Sequence, residues 1–291
     1  MSSTPARHPA PARSTDRPDP GRPRRRRRSD VTRQVVVLVC LVLALAGSAW
    51  GSGAFGGSGI QNAASGALGP DATLLAPARP AFAIWSVIYL GLTLYAVWQA
   101  LPRQRTNPRQ RDTGYTAAVS MLLNAGWILV AQAGWLPLTV PVIVALLVVL
   151  VVLYRRLITG PNPRPLEAVL VDGTFGLYLG WVSVATTANV TAALAGPLAA
   201  AGLDLDGGAV WWAILVIAVV AVVGAGLALS GDGRVTPALA LAWGLAWIAV
   251  SRLDGTLRST PTAVTAIAAA VLILGWTALV RGLTTRRRRP A

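Results

Sequence analysis

The sequence has one cysteine, one histidine and no lysine, and only 11 acidic residues stand against 26 arginines in 291 residues. With Cys40 alone no intrachain disulfide can form. With His8 as the sole imidazole, the side chains that ordinarily hold zinc or haem are missing, so no metal site is expected. Charged residues make up 13% of the chain, too few to cover a soluble domain of this length. No nucleophile–base pair is apparent. Gly224 and Gly226 lie inside an apolar run instead of at a strand–helix junction, which reads as helix packing and not as a phosphate cradle. The sequence therefore carries no positive sign of catalysis, and no catalytic residue is assigned. The net charge of +15 suggests nucleic acid, but no RNA- or DNA-binding motif accompanies it, so nucleic acid is not an expected partner.

What is present is apolar sequence of membrane length. About 20 apolar residues cross a hydrocarbon core of about 30 Å, and inside lipid such runs must be helical. The Ala-, Val- and Leu-rich runs lack the alternation of a membrane barrel. The expected spans are 34–50, 80–101, 115–135, 138–154, 168–194, 210–229, 237–250 and 262–280, the fifth long and the seventh short. The fold class is all-α, a polytopic membrane helix bundle. Residues 1–33, rich in Pro, Arg and Ser, are expected to be a disordered basic cytoplasmic tail, and 282–291 a second basic tail. The first span, ending in Ala46-Gly47-Ser48-Ala49, resembles a signal peptide, but the long basic leader and Trp50 favour a retained anchor.

Charge orients these spans. With the leader inside, the inner loops hold Arg103, Arg105, Arg109, Arg111, Arg155, Arg156 and Arg164, and the inner tail holds Arg281 and the final Arg run. The outer loops hold Arg79, Arg252 and Arg258 beside Asp71, Asp204, Asp206 and Asp254. The asymmetry predicts both termini in the cytoplasm, with anionic lipid beside the Arg clusters. Arg as the only base, with abundant Ala and Gly, points to a bacterial plasma membrane. No internal repeat is evident, which weighs against an inverted-repeat transporter.

Three spans carry amide and aromatic residues that a lipid-facing helix does not need. The second has Phe82, Trp85, Tyr89, Tyr95 and Trp98; the third Asn124, Trp127 and Gln132; the fifth Phe175, Tyr178, Trp181, Thr186, Thr187 and Asn189. Counted along helices of alternating direction, Trp85, Tyr89, Asn124, Trp127, Trp181 and Asn189 fall at one level, in the middle or outer half of the bilayer. Amides there need partners, from another helix, a water or a ligand. Interhelical hydrogen bonding alone and a pocket for a flat apolar ligand stacked on the indoles both satisfy this pattern. Trp50, Trp98, Trp135, Trp211 and Trp212 lie near span ends, where aromatic belts are normal. Gly176-x-x-x-Gly180 permits close helix packing. Asp172, about one turn into the fifth span, is read as an interfacial cap on the helix dipole, with a proton relay as the other reading. Val152-x-Tyr154-Arg155 matches a weak cholesterol-contact pattern.

The same three spans resemble the tryptophan-rich sensory proteins, the TspO/MBR or translocator-protein family. Pro80-x-Phe82-x-x-Trp85-x-x-x-Tyr89 looks like that family's second-helix motif, Asn124-x-x-Trp127 is similar to its third-helix motif, and Tyr178-x-x-Trp181 with Ala185 and Asn189 is similar to its fifth-helix pattern. The resemblance covers roughly residues 35–195. It implies a five-helix unit over 34–195, with additional transmembrane helices over 196–281. It implies a pocket for porphyrins, sterol-like or other hydrophobic ligands beneath loop 51–79, which would act as a lid. The ligand-binding candidates it implies are Phe82, Trp85, Tyr89, Asn124, Trp127, Tyr178, Trp181 and Asn189. Two departures mark an extended, divergent branch: three helices follow the five, and the loop keeps only Pro77 and Pro80 of the family's Trp-rich, Pro-Pro character.

The expected function is an integral membrane binding or sensory protein for a flat hydrophobic ligand, tetrapyrrole- or sterol-like, held between helices 2, 3 and 5. No cofactor is required, a tetrapyrrole being a candidate ligand. The expected partners are membrane lipids and a hydrophobic small molecule, with a homodimer left open. A small-molecule transporter, with Asp172 and Asn124 lining its path, and a membrane enzyme acting on a lipid or pigment are the alternatives.

Overall fold

The eight apolar runs become eight helices, because backbone polar groups in hydrocarbon must find their partners within their own segment. The computed structural model describes residues 22–53, 59–200 and 208–287, and among the described residues there is no strand. The helices are α1 (Arg22–Gly51), α2 (Ile84–Ala100), α3 (Pro108–Gln132), α4 (Leu136–Thr159), α5 (Thr174–Ala200), α6 (Ala209–Ser230), α7 (Val235–Asp254) and α8 (Thr260–Arg287). A short turn, Pro165–Glu167, and a π-helical turn, Ala168–Gly173, lead straight into α5, so the long fifth span is one crossing.

Five helices close a ring in the order α1, α3, α4, α5, α2, each packed on the next and α2 returning to α1. The other three stand outside it. Helix α7 lies along α5, α8 lies along α7, and α6 completes the group against α8. Each group has its own apolar core, one around Tyr95, Met121, Leu150 and Phe175, the other around Ala213, Leu241, Leu245 and Ile273. The expected all-α bundle, a five-helix unit with three further spans, is what the structure shows.

Small residues set the seam between the groups, as Gly176-x-x-x-Gly180 predicts. A Cβ on Gly180 would lie 2.9 Å from the Ala240 Cβ, and one on Gly176 would lie 3.0 Å from the Thr236 Cβ. Gly224 brings α6 onto Ile273 of α8 in the same way, whereas Gly226 faces open space. Leu215, Val219 and Val222 on α6 and Val264, Val271 and Leu272 on α8 are exposed, as lipid-facing positions should be. Trp50, Trp135, Trp211 and Trp212 are exposed at helix ends on one side of the bundle, where a belt is expected. That side is called the lid end below, and the side carrying the Arg22 terminus the basic end.

Several boundaries differ from expectation, each for a tertiary reason. Residues 22–33, expected to be disordered, continue α1. Asp30 Oδ1 accepts from Arg111 Nε at 2.8 Å, and buried Arg33 donates through Nη2 to the carbonyls of Gln104 (3.3 Å) and Arg105 (3.2 Å). Residues 1–21 of that expected tail lie outside the described residues. Helix α3 starts at Pro108, seven residues before position 115. Asn107 caps it by accepting from the Arg109 backbone N–H at 2.9 Å, and Pro108 takes the first position. The basic tail expected from 282 is helical as far as Arg287. Tyr154, the centre of the cholesterol-contact match, is turned inward: it is buried, and its hydroxyl donates to the Leu227 carbonyl at 3.3 Å.

Candidate functional site

All eight candidates meet inside the ring: Phe82, Trp85, Asn124, Trp127, Trp181 and Asn189 line one cavity, and Tyr89 and Tyr178 pack behind Trp85 without lining it. The 3₁₀ turn Arg79–Ala83 starts the second span and carries Phe82, and α2 continues with Trp85 and Tyr89 one turn apart. The Trp85 ring stands at the centre of an aromatic cluster. Its centroid lies 5.6 Å from Tyr89, 5.8 Å from Tyr178 and 6.3 Å from Trp181, the last two edge-on. Phe82 meets Trp181 edge-on at 5.8 Å. Such pairs add about 0.5–1.5 kcal/mol each beyond area burial.

The amides meet the same cluster from α3 and α5. Asn124 Nδ2 donates to the Tyr89 hydroxyl at 2.6 Å, and Trp127 Nε1 donates to Asn189 Oδ1 at 2.7 Å. Asn189 Nδ2 in turn donates to Thr139 Oγ1 of α4 at 2.7 Å, and the Tyr178 hydroxyl donates to the Ser120 carbonyl at 3.2 Å. Most of the amide hydrogen-bonding capacity is thus satisfied between helices. Three buried side-chain atoms are not: among the described residues, Asn124 Oδ1, Trp181 Nε1 and Thr73 Oγ1 of the loop have no hydrogen-bond partner, on residues 1%, 2% and 7% exposed.

All three residues line a small cavity of about 50 Å³, with Phe82, Trp85, Trp127, Ile143, Leu146, Ala185 and Asn189. Loop residues Ile60, Leu68, Thr73 and Pro77 border it, so the part of the expected lid from residue 60 onward lies against the cavity, while residues 54–58 of that loop lie outside the described residues. Among the described residues no charged side chain lines it. One carbonyl oxygen, one indole N–H and one hydroxyl in an apolar, aromatic chamber can orient a neutral polar group and stack a ring. Among the described lining residues there is no carboxylate, imidazole or thiol. Among the described residues there is no His, Cys, Asp and Glu cluster that could hold a metal ion.

Asp172 belongs to a different place. Its Oδ1 accepts from Arg109 Nη2 at 2.7 Å, and Arg234 Nη1 binds its other oxygen. Glu167 lies 3.6 Å from Arg109 Nη1 and accepts from Gln110 Nε2 at 3.2 Å. This buried cluster joins α3, the π turn and the α6–α7 connection at the basic end. Asp172 thus serves as a cross-helix ion-pair partner where a lone cap on the helix dipole was expected. Fifteen residues separate Arg109 from Asn124 along α3, about 22 Å at the rise of a helix. Asn124 and Asp172 therefore belong to two separate sites, one near the lid end and one at the basic end.

Sequence reasoning missed Thr139, one polar residue in an otherwise apolar fourth span. It also missed Arg252, assigned above to an outer loop, which is completely buried in the last turn of α7. A family model described as TSPO-like protein matches residues 34–279, from within α1 to within α8, so the three outer helices lie inside the matched region. No curated protein and no solved structure matches the chain significantly.

Proposed function

The chain belongs to the TSPO-like family, and from that premise we propose that this multi-pass membrane protein binds or senses a flat hydrophobic ligand in the aromatic and amide cavity between α2, α3 and α5. The observation that carries the reading is a set of three unpartnered atoms, the Trp181 N–H, the Asn124 carbonyl oxygen and the Thr73 hydroxyl, buried on residues that line one cavity. Leaving a buried donor or acceptor unsatisfied costs about 1–3 kcal/mol, so three around one chamber support a ligand that supplies their partners.

The cavity as it stands is smaller than any ring system. Phe82 and Trp85, both only half-buried, fill its approach, and a ligand would take the stacking position these rings now hold against Trp181. The basic end faces the cytoplasm in this reading, with its Arg run against anionic headgroups. Sterol-like and other uncharged flat molecules suit the lining better than a free tetrapyrrole acid, because no cation is present to pair a carboxylate. Native mass spectrometry of detergent-purified protein tests the reading. A flat apolar adduct is expected on the wild-type chain and is lost in Trp127→Ala and Trp181→Ala; an adduct retained in both variants overturns this pocket.

A further inference from the structure

The loop over the cavity is fastened to the outer helices. Arg252 Nη2 and Ser251 Oγ both donate to the Pro70 carbonyl, at 2.7 and 3.3 Å, and Arg252 Nη1 donates to the Leu257 carbonyl at 2.7 Å. The Ala78 N–H donates to the Trp247 carbonyl at 3.1 Å, and Trp243 Nε1 donates to the Ala81 carbonyl at 2.9 Å. Leu75, from the same loop, is buried in the core of α6–α8. Lifting the loop would expose Leu75 and strip a fully buried guanidinium of its carbonyls, so the lid is held shut by α7.

The side of the ring is built differently. At the basic end α1 and α2 are tied together: Gln34 Nε2 donates to the Gln99 carbonyl at 2.6 Å, and Gln99 Nε2 returns a bond to the Gln34 carbonyl at 3.2 Å. Toward the lid end they border a cleft of about 610 Å³, in which a Ser48–Tyr89 side-chain hydrogen bond is the contact a ligand would displace. Leu45, Ser48 and Ser52 of the α1 side and Ser86 and Tyr89 of α2 line it. Ile60, Phe82, Trp85 and Trp127 line both this cleft and the inner cavity, so little more than those side chains separates the two. Among the described residues no charged side chain lines the cleft either.

We propose that the ligand is an uncharged amphiphile dissolved in the membrane, and that it reaches the aromatic cavity sideways, through the α1–α2 cleft at the lid end, while α7 keeps the lid closed. The proposal rests on the ligand reading of the cavity and adds its route and chemical class. The serine hydroxyls receive a neutral polar group on the way in. Swinging Phe82 and Trp85 aside merges cleft and cavity into a space that can hold a ring system. The three outer helices thereby have a task, to brace the loop that the five-helix ring alone leaves unsupported on one side.

Stopped-flow quenching of tryptophan fluorescence in dodecyl maltoside micelles, with protoporphyrin IX dimethyl ester as the uncharged flat probe, tests this. The association rate constant is expected to fall at least tenfold in Ser48→Phe/Ser86→Phe, which fills the cleft, and to stay within twofold in Ala72→Phe on the exposed top of the lid. Ser86 is exposed, so Ser86→Phe alone replaces the double variant where that does not fold. The free diacid of the same porphyrin is expected to bind at least tenfold more weakly than the ester. Saturable quenching with an association rate untouched by the cleft variants overturns the route while the pocket stands. Equal affinity for diacid and ester overturns the uncharged class. No saturable quenching of the wild-type protein overturns the pocket reading, and the route with it.

Discussion

Trp127 and Asn189 meet across the ring, the indole Nε1 of α3 donating to the carboxamide Oδ1 of α5 at 2.7 Å. The other end of that amide donates to Thr139, so one asparagine side chain binds three helices together at the level of the cavity. In hydrocarbon no water competes for these groups, yet interhelical hydrogen bonds there contribute only about 0.6 kcal/mol on average, up to about 1.7.

Asn189→Leu is therefore expected to lower stability by about 1–2 kcal/mol, because it leaves the Trp127 N–H buried without an acceptor. Thr139→Val should cost less, since Thr139 also bonds the Leu136 carbonyl of its own helix and only one amide donor is stranded. Thermal unfolding of both variants in detergent checks the order; a larger loss for Thr139→Val would contradict it.

The ion-pair cluster at the basic end responds differently. Removing Arg109 leaves Glu167 and Asp172 buried without their shared guanidinium, so Arg109→Met is expected to cost about 3–5 kcal/mol. Arg234→Gln should cost less, because Arg109 still holds Asp172. Arg109→Met combined with Asp172→Leu should recover part of the loss, and a double-mutant cycle on unfolding free energies measures the coupling.

At the seam between the two groups, Gly180→Val forces a side chain against the backbone of Pro237 and the Ala240 methyl. Overpacking of this kind costs about 1–3 kcal/mol. Gly226→Ala, with nothing near its added methyl, should be neutral. The thermal unfolding midpoint in detergent is expected to fall in the first variant and to stay at the wild-type value in the second.

The crossings were legible because lipid imposes a length and an apolar content on each run, and both are properties of consecutive residues. The convergence of Trp85, Asn124, Trp127, Trp181 and Asn189 was legible because amides and indoles at membrane depth stand out against Ala, Val and Leu. Their pairing was not. Thr139 looks like any threonine in an apolar helix until Asn189 is seen beside it. Arg252 and Arg33 misled for a related reason. An arginine at a span edge looks like a topology signal, and only the carbonyls of Pro70 and Leu257, or of Gln104 and Arg105, distant in sequence or beyond a turn, reveal it as buried. Asp172 likewise has its partners 63 and 62 residues away, beyond the reach of any local pattern.

Equilibrium titration of purified wild-type protein and Trp181→Phe with protoporphyrin IX dimethyl ester bears most directly on the cavity as a ligand site. The substitution keeps an aromatic ring and removes an indole N–H that is buried without a partner among the described residues. Saturable binding is expected, with a Kd raised about five- to tenfold in the variant, roughly 1–1.4 kcal/mol, and an unfolding midpoint no lower than that of the wild type. Equal Kd values for the two proteins, or quenching that never saturates in the wild type, would contradict it.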